Sequence, residues 1–474
     1  MKISNKQILL LAFIIFIVNF IFKLIHIGSS SLWYDEIISC NDTQLFWGHI
    51  KHEAEWDKNP PFYHYALWIW SKLFGKTEIA LRSMSAFFSA LTGVVLFLFS
   101  NKFFNFYKAI SISIIFISHH FLFYYAQEAR CYSLLIFLVI CNIVYTFYFI
   151  KNQTILNAIL LGLLNFLLFY THYIAGLVLF CQFIFLLFIV KIKFSQIASI
   201  YSTSIILVLL RFTKKQYKVL FMSHEMSSQK QNVPLSNYYD LQSTINNLYI
   251  DKIIFILVIG LILFKIFTTL KFKNKDNLQL KFEFYLIFTP ILCITLLYTL
   301  GLFTNVFNER YLIFTSPFIL LSLIALITNT NLFAITCLII SIFSFTKVEF
   351  GKSRQMDYRM AADITKKVQK NHSPAIILQT HDIQSLFYYY YNFNGYLNQN
   401  WKDKDKLKTE NIFIIENNYE LKQLLTQKNT SILFFQTFTN LTDRNQIDSS
   451  LKTIGYKNIY RRKVSDNIIL TALN

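Results

Sequence analysis

The chain has 474 residues, of which 54% are hydrophobic and only 15% charged, and it carries 50 Phe and 28 Tyr. A soluble protein of this size carries about a quarter charged residues, so the composition excludes a water-soluble globular enzyme and makes lipid the main solvent. The net charge of +19 would suggest nucleic acid in a soluble chain, but in a membrane protein Lys and Arg first sort by side of the bilayer, and no nucleic-acid partner is read from it.

From Ile8 to Ile27 about 20 apolar residues, interrupted by Asn19, Lys23 and His26, suffice to cross a bilayer. No small-residue cleavage site follows, so the segment reads as an uncleaved signal anchor. Further spans are expected at 79 to 100, 109 to 126, 131 to 150, 155 to 170, 174 to 190, 197 to 211, 252 to 270, 282 to 301, 311 to 328 and 332 to 346, about eleven in all. The first outer loop, 28 to 78, holds a Trp- and Tyr-rich stretch from Pro60 to Phe74 that is too short to span and is expected to lie along the interface. The segment Gln216 to Asp251, rich in Ser, Gln and Asn, reads as a mobile loop able to cover a lipid-side cleft.

After Lys347 the composition becomes soluble, with a helix-like run from Met360 to Lys370 and β-rich runs at Ala375 to Gln379, Ile412 to Ile415 and Ile432 to Phe435. The expected fold is therefore an α-helical polytopic membrane domain over 1 to 346 and a small C-terminal α/β domain over 347 to 474. That tail has no glycine-rich phosphate loop, which argues against a nucleotide site in it.

With Lys2 and Lys6 in the cytoplasm, four further loops place their basic residues on the same side: Lys102 and Lys108, Lys151, Lys191 and Lys193, and Lys271 to Lys281. The first loop, the 212 to 251 loop and the C-terminal domain then face outward, as in a multi-pass protein of the cytoplasmic (inner) membrane. Five of the six Cys lie in apolar runs and Cys40 stands alone in a loop, with no metal-ligand spacing and no disulfide framework.

Asp35 and Glu36 adjoin just beyond the first span, where a carboxylate can serve as base, ligand or substrate anchor. On a helix they point about 100° apart, so only one can occupy a given site. The bland alternative is a solvated helix start after Ser29 to Ser31. Next come Glu53, Glu55 and Asp57, followed by Pro60-Pro61, whose rigid backbone would fix where Asp57 and Tyr63 point.

Arg82, Glu128, Arg130, Arg211, Glu309 and Arg310 all fall at outer ends of spans, opposite to the side that the positive-inside rule favours. Planar Arg donors suit phosphate, although snorkelling or pairing with Glu128 and Glu309 is the competing explanation. His172, between Thr171 and Tyr173, can hydrogen-bond substrate or transfer a proton, or be structural. His119 and His120 read as structural.

Six segments in order, Leu32-Trp33-Tyr34-Asp35-Glu36, Asn59-Pro60-Pro61-Phe62-Tyr63, Leu73-Phe74-Gly75 with Leu81-Arg82, Ala129-Arg130-Cys131-Tyr132-Ser133-Leu134, Tyr170-Thr171-His172-Tyr173 and Arg310-Tyr311-Leu312, resemble the GT-C glycosyltransferases. The likeness is to the bacterial branch related to dolichyl-phosphate-mannose protein mannosyltransferases and the lipid A aminoarabinose transferase, and it covers about residues 7 to 346. Where that family often has His before the prolines, this chain has Asn59.

The resemblance implies that Asp35 is the catalytic acidic residue with Glu36 assisting substrate binding. It also implies that Arg130, with Arg82 and Arg310, lies near a lipid phosphate, and that the C-terminal domain helps bind acceptor. Asp57, Tyr63, Glu128, Tyr132, His172 and Tyr173 complete the expected substrate-binding set. The implied reaction moves one sugar from a polyprenyl-phosphate donor to a hydroxyl of a glycolipid, glycan or protein, with inversion and Asp35 as base.

No cofactor is required, since the sugar is already activated, and no ligand cluster demands a metal, although carboxylates beside a phosphate are compatible with a divalent cation. The competing readings are an envelope oligosaccharide polymerase or ligase and, outside enzymes, a lipid-linked sugar flippase or transporter. A transporter would put its polar residues near the bilayer midplane, often with repeat symmetry; here the charges gather at one face and no repeat is evident.

Overall fold

The computed structural model describes residues 4–44, 47, 50, 60–212, 236–249, 277–303, 307–351, 357–372, 375–379, 383–392, 404–415, 432–437, 459–465 and 468–473. Two compact units emerge: residues 1–25, 51–66 and 82–349 form the first, and 26–50, 67–81 and 350–474 the second.

The apolar runs become helices: α1 Asn5–Leu24, α2 Tyr34–Asp42, α3 Phe62–Phe74, α4 Glu78–Phe103, α5 Phe106–Ser118, α6 His120–Ala126, α7 Tyr132–Lys151 and α8 Ile155–Phe169. They continue with α9 Gly176–Ile184, led by a 3-10 turn and closed by a π-turn, then α10 Phe194–Arg211, α11 Tyr238–Leu248, α12 Leu278–Gly301, α13 Ser316–Leu326, preceded by a 3-10 segment Glu309–Thr315, and α14 Thr330–Phe345. Among the described residues seven helical segments are long and apolar enough to cross a membrane, and the bent pair α5 and α6 would make an eighth. The expected count of about eleven is not confirmed among the described residues: α8 and α14 are shorter apolar helices, and the expected span at 252 to 270 lies outside the described residues.

Within the first unit, polar side chains buried among apolar helices satisfy one another or broken backbone, as a medium without water requires. The chain bends by 61° between α5 and α6, and the buried Lys23 of α1 donates to the carbonyl of Ile117 at that break, 2.9 Å away. Asn19 donates to the Ser89 carbonyl of α4 at 3.0 Å, and Lys108 caps the end of α13 through the carbonyls of Ile324 (3.3 Å) and Ile327 (2.7 Å). Gly162 lets α8 lie directly against Ile200 and Thr203 of α10, and Ser204 donates to its carbonyl at 2.8 Å. A closed ring of buried amides, Asn142 to Asn165 (2.6 Å), Asn165 to Gln182 (2.8 Å) and Gln182 to Asn142 (2.9 Å), joins α7, α8 and α9. Outward on α1, α10 and α14 are large apolar side chains such as Phe13, Leu210 and Ile339, the surface that lipid would cover.

Part of the segment expected to be a mobile loop is helical instead. Asn237 caps α11, accepting from the backbone N–H of Tyr239 and Asp240, and the Asp240 carboxylate returns the bond to the Asn237 N–H at 2.8 Å. That reciprocal pairing outweighs the polar composition. Residues 213–235 and 250–276 lie outside the described set.

The second unit gathers α2, most of α3 and the C-terminal residues, which form α15 Tyr358–His372, α16 Ile383–Tyr390, α17 Lys404–Thr409 and five strands. The strands are β1 Ala375–Gln379, β2 Ile412–Ile415, β3 Ile432–Thr437, β4 Ile459–Ser465 and β5 Ile468–Leu473, in the order β2-β1-β3-β5-β4. β1 pairs in parallel with β2 and β3, in keeping with its nearly unbroken apolar sequence, whereas β3–β5 and β5–β4 are antiparallel. The expected α/β segment is thus present, with β4 and β5 in addition.

Candidate functional site

In the first unit the turn between α6 and α7 carries Glu128 and Arg130 and delivers Tyr132 as the first residue of α7. Gln127 donates to the carbonyls of Lys23 (3.0 Å) and Ile25 (2.7 Å), so the turn is fixed to the end of α1. Ser85, three residues beyond Arg82 on α4, donates its hydroxyl to the carbonyl of Glu128 and lies 3.4 Å from that of Arg130. Ser133 donates to the Tyr125 carbonyl at 3.2 Å, closing the turn from the other side. The turn is held at three points, and Arg82, Glu128, Arg130 and Tyr132 are all buried.

Arg310 comes from the 3-10 segment before α13, its guanidinium 5.4 Å from the centre of the Tyr311 ring. The Tyr311 ring lies 5.3 Å from His172, and His172 lies 6.4 Å from the Tyr132 ring. The charges of Arg310, Arg130 and Glu128 all act on the Tyr132 phenol. Tyr132, His172 and Tyr311 thus form a row of rings, with Arg310 against Tyr311 and the charges of Arg310, Arg130 and Glu128 felt at Tyr132. Guanidinium planes beside aromatic rings and partly out of water are suited to hold an oxyanion.

His172 caps the 3-10 turn that starts α9, its Nδ1 accepting from the Ile174 N–H at 3.2 Å. In the neutral ring that bond leaves the proton on Nε2. Glu309 takes hydrogen bonds from Ser243 and Asn247 of α11, both 2.7 Å, which anchors the residue next to Arg310.

Other expected residues make contacts of their own. Tyr173 packs against Phe169 (5.7 Å) and Phe212 (5.8 Å), in an aromatic group with Phe166, Tyr170 and Phe62. Tyr63 is buried beside His64, and the start of α3 is tied to this segment by the Phe62 N–H donating to the Tyr170 carbonyl at 3.3 Å. Arg211 is the last residue of α10, whose Leu207 and Val208, with Phe212 beyond it, belong to the same group. Asp57 lies outside the described residues, as do Glu53 and Glu55.

Asp35 and Glu36 belong to the second unit, in the first turn of α2. The Glu36 carboxylate turns back and accepts the Trp33 N–H at 3.1 Å, and the side chain is fully buried. Asp35 is half-buried, about 100° round the helix from it, and reaches the surface of the unit. The adjacent carboxylates thus differ in setting: Glu36 closes the helix start, and Asp35 is the more exposed of the two.

Ser85, Gln127 and Tyr311 carry the architecture of the arginine cluster, yet nothing in their sequence neighbourhoods marks such a role. Two of them act on backbone carbonyls far away in the chain, a contact that leaves no motif. Among the described residues there is no group of three or more His, Cys, Asp or Glu able to hold a metal ion.

No family model matches the sequence, and no curated protein matches it. Among solved structures the chain is similar to ArnT from Cupriavidus metallidurans in the apo state, with 10% identity over 98% of this chain and 97% of that one and a TM-score of 0.56. The same protein bound to undecaprenyl phosphate matches over the same shares at 10% identity with a TM-score of 0.53. The Archaeoglobus fulgidus oligosaccharyltransferase in complex with Zn and sulfate aligns at 11% identity over 89% of this chain and 67% of that one, with a TM-score of 0.45. With its apolar helices and its near full-length match, this chain is a multi-pass membrane protein that shares the fold of ArnT.

Proposed function

We propose that the protein is a membrane glycosyltransferase that moves one sugar from a polyprenyl-phosphate donor to an acceptor hydroxyl, at the outer face of the cytoplasmic membrane, with inversion. Arg130, Arg310 and Arg82 neutralise the donor phosphate. Asp35 takes the proton of the acceptor hydroxyl as its oxygen attacks the anomeric carbon. The bond from that carbon to the phosphate oxygen breaks, and the polyprenyl phosphate leaves with the bonding pair. Glu36 holds the helix start that presents Asp35, and the C-terminal domain stands on the outer side.

One observation supports the reading: buried Arg130 and the Arg310 guanidinium both exert their charge on Tyr132, Arg310 lying 5.4 Å from the Tyr311 ring, in a chain that shares its fold with a protein crystallised with undecaprenyl phosphate. A phosphate leaving group needs such cationic donors and no nucleotide, which accords with a sequence that has no glycine-rich phosphate loop.

The test is transfer in membranes containing the protein, with a panel of radiolabelled polyprenyl-phosphate sugars and mass analysis of the product. The expected product is heavier by one sugar, of opposite anomeric configuration to the donor. Arg130→Gln and Arg310→Gln are each expected to raise the donor KM about tenfold or more, the loss of one charge-assisted hydrogen bond to phosphate. Movement of a preassembled chain would support the polymerase or ligase reading instead. Donor translocation without a new glycosidic bond would support a flippase.

A further inference from the structure

The backbone that leads into Asp35 is gripped by side chains from distant parts of the second unit. The Leu32 N–H donates to the Tyr389 hydroxyl of α16 at 2.6 Å, and that hydroxyl donates to Glu78 Oε1 at 3.1 Å. The same Glu78 oxygen receives Arg359 Nη1 of α15 at 3.1 Å, and Arg359 Nη2 donates to the Ser29 carbonyl at 3.0 Å. The chain of bonds therefore leaves the loop at Leu32 and returns to it at Ser29. Between these points the Ser31 hydroxyl accepts the Tyr358 N–H at 3.1 Å. Leu32, Ser31, Glu78 and Tyr389 are all buried.

Each member needs the others. A buried carboxylate is costly unless paired, and Glu78 is neutralised by Arg359 and bonded by Tyr389. The Tyr389 hydroxyl can accept from a backbone N–H while donating to a carboxylate, which a Phe in its place could not do. The Arg359 fork reaches a carboxylate and a carbonyl at once, which a single ammonium cannot do with the same geometry. Only Trp33 and Tyr34 lie between the anchored Leu32 and Asp35, and Glu36 closes the same helix start. The aim of Asp35 is thus set by residues 43 and 354 positions further along the chain as well as by its own helix.

We propose that Tyr389, Glu78 and Arg359 are positioning residues for the transfer step, acting by fixing the 29–32 backbone that presents Asp35. The C-terminal segment is in this respect part of the catalytic apparatus and not only a surface for acceptor. The proposal rests on the reading of Asp35 as the base.

The test uses the full chain in lipid nanodiscs and compares Tyr389→Phe, Asp35→Asn and, as a control, Tyr391→Phe, whose hydroxyl donates to Glu410 at 2.9 Å. Two readouts are taken: hydrogen exchange of the Leu32 amide, and kcat and donor KM for sugar transfer. Tyr389→Phe is expected to speed Leu32 exchange about tenfold and to lower kcat about tenfold, with donor KM changed less than about twofold. Tyr391→Phe leaves both readouts at wild-type values.

Arg359→Lys serves as a second variant, because that side chain is partly exposed and the substitution keeps the charge. It is expected to lower kcat about threefold at unchanged KM. Wild-type kcat in folded Tyr389→Phe, or in Arg359→Lys should the first variant not fold, overturns the positioning role while Asp35→Asn still reports on the base. If Asp35→Asn keeps its activity, the base assignment fails, and Leu32 exchange then shows by itself whether the anchor exists.

Discussion

The buried amide ring gives the first unit a quantitative test. Gln182 donates to Asn142 (2.9 Å) and Thr146 (2.8 Å) and accepts from Asn165 (2.8 Å) and Tyr201 (3.2 Å), so one side chain carries four hydrogen bonds among α7, α8, α9 and α10. Replacing it with Leu keeps most of the volume and removes all four. Asn142 and Asn165 retain the 2.6 Å bond between them, and Tyr201 still donates to the Leu179 carbonyl at 3.0 Å. Polar side-chain bonds between membrane helices are worth about 0.6 kcal/mol on average and about 1.7 at most, so the expected loss is about 2 to 3 kcal/mol. For a chain of this length that lowers the unfolding midpoint by about 3 °C or more.

The protein supplies its own reporters, since Cys181 and Cys293 are buried in the same unit and Cys141 lies one residue before Asn142. A thiol-reactive fluorophore therefore follows their exposure during a temperature ramp in detergent. Combining Gln182→Leu with Asn165→Leu should cost clearly less than the two single effects together, because both remove the bond they share. A midpoint for Gln182→Leu within about 1 °C of wild type, or strict additivity of the pair, would refute the ring as a stabilising unit.

Three further outcomes follow from other parts of the molecule. A Cβ at position 162 would press on the Ile200 carbonyl and Thr203 of α10, so Gly162→Val should destabilise the fold by about 2 kcal/mol, read as lost monodisperse yield and a lower unfolding midpoint. Glu36→Gln retains an oxygen for the Trp33 N–H and should keep most transfer activity, whereas Glu36→Leu strands that N–H and should cost about 1 to 2 kcal/mol in stability. In the second unit, burial, with Cys40, Tyr389, Glu78 and Glu36 adding to it, pushes the Tyr388 phenol well above its ordinary value of 10.0. The unfolded phenol then ionises first: this contribution is fully present below pH 10, and above it stability falls by about 1.4 kcal/mol per pH unit, a slope that Tyr388→Phe should remove in an alkaline unfolding titration.

Sequence was a good guide where physics is local. The apolar runs became helices because a backbone in lipid must satisfy its own hydrogen bonds, and β1, β2 and most of β3 could be read from their Ile-rich runs. The arginine turn at Arg130 was legible as charge against the topological rule. Contacts at long range were not. No Gly or Pro marks the bend at His119, and it is answered by Lys23 from the first helix. β4 hides behind Arg461-Arg462-Lys463, a charged run that masks a strand paired to β5. Nor did adjacency distinguish Asp35 from Glu36; only the return of one carboxylate to Trp33 did. The grip of Tyr389 on Leu32 joins residues 357 apart, and nothing in either neighbourhood announces it.

The central claim concerns the base, and Asp35→Asn tests it most directly: sugar transfer from a radiolabelled polyprenyl-phosphate donor, measured at matched amounts of folded protein beside Glu36→Gln. The account predicts that Asp35→Asn loses about 100-fold or more in kcat while still binding donor, and that Glu36→Gln stays near wild type. Near full turnover by Asp35→Asn would contradict it.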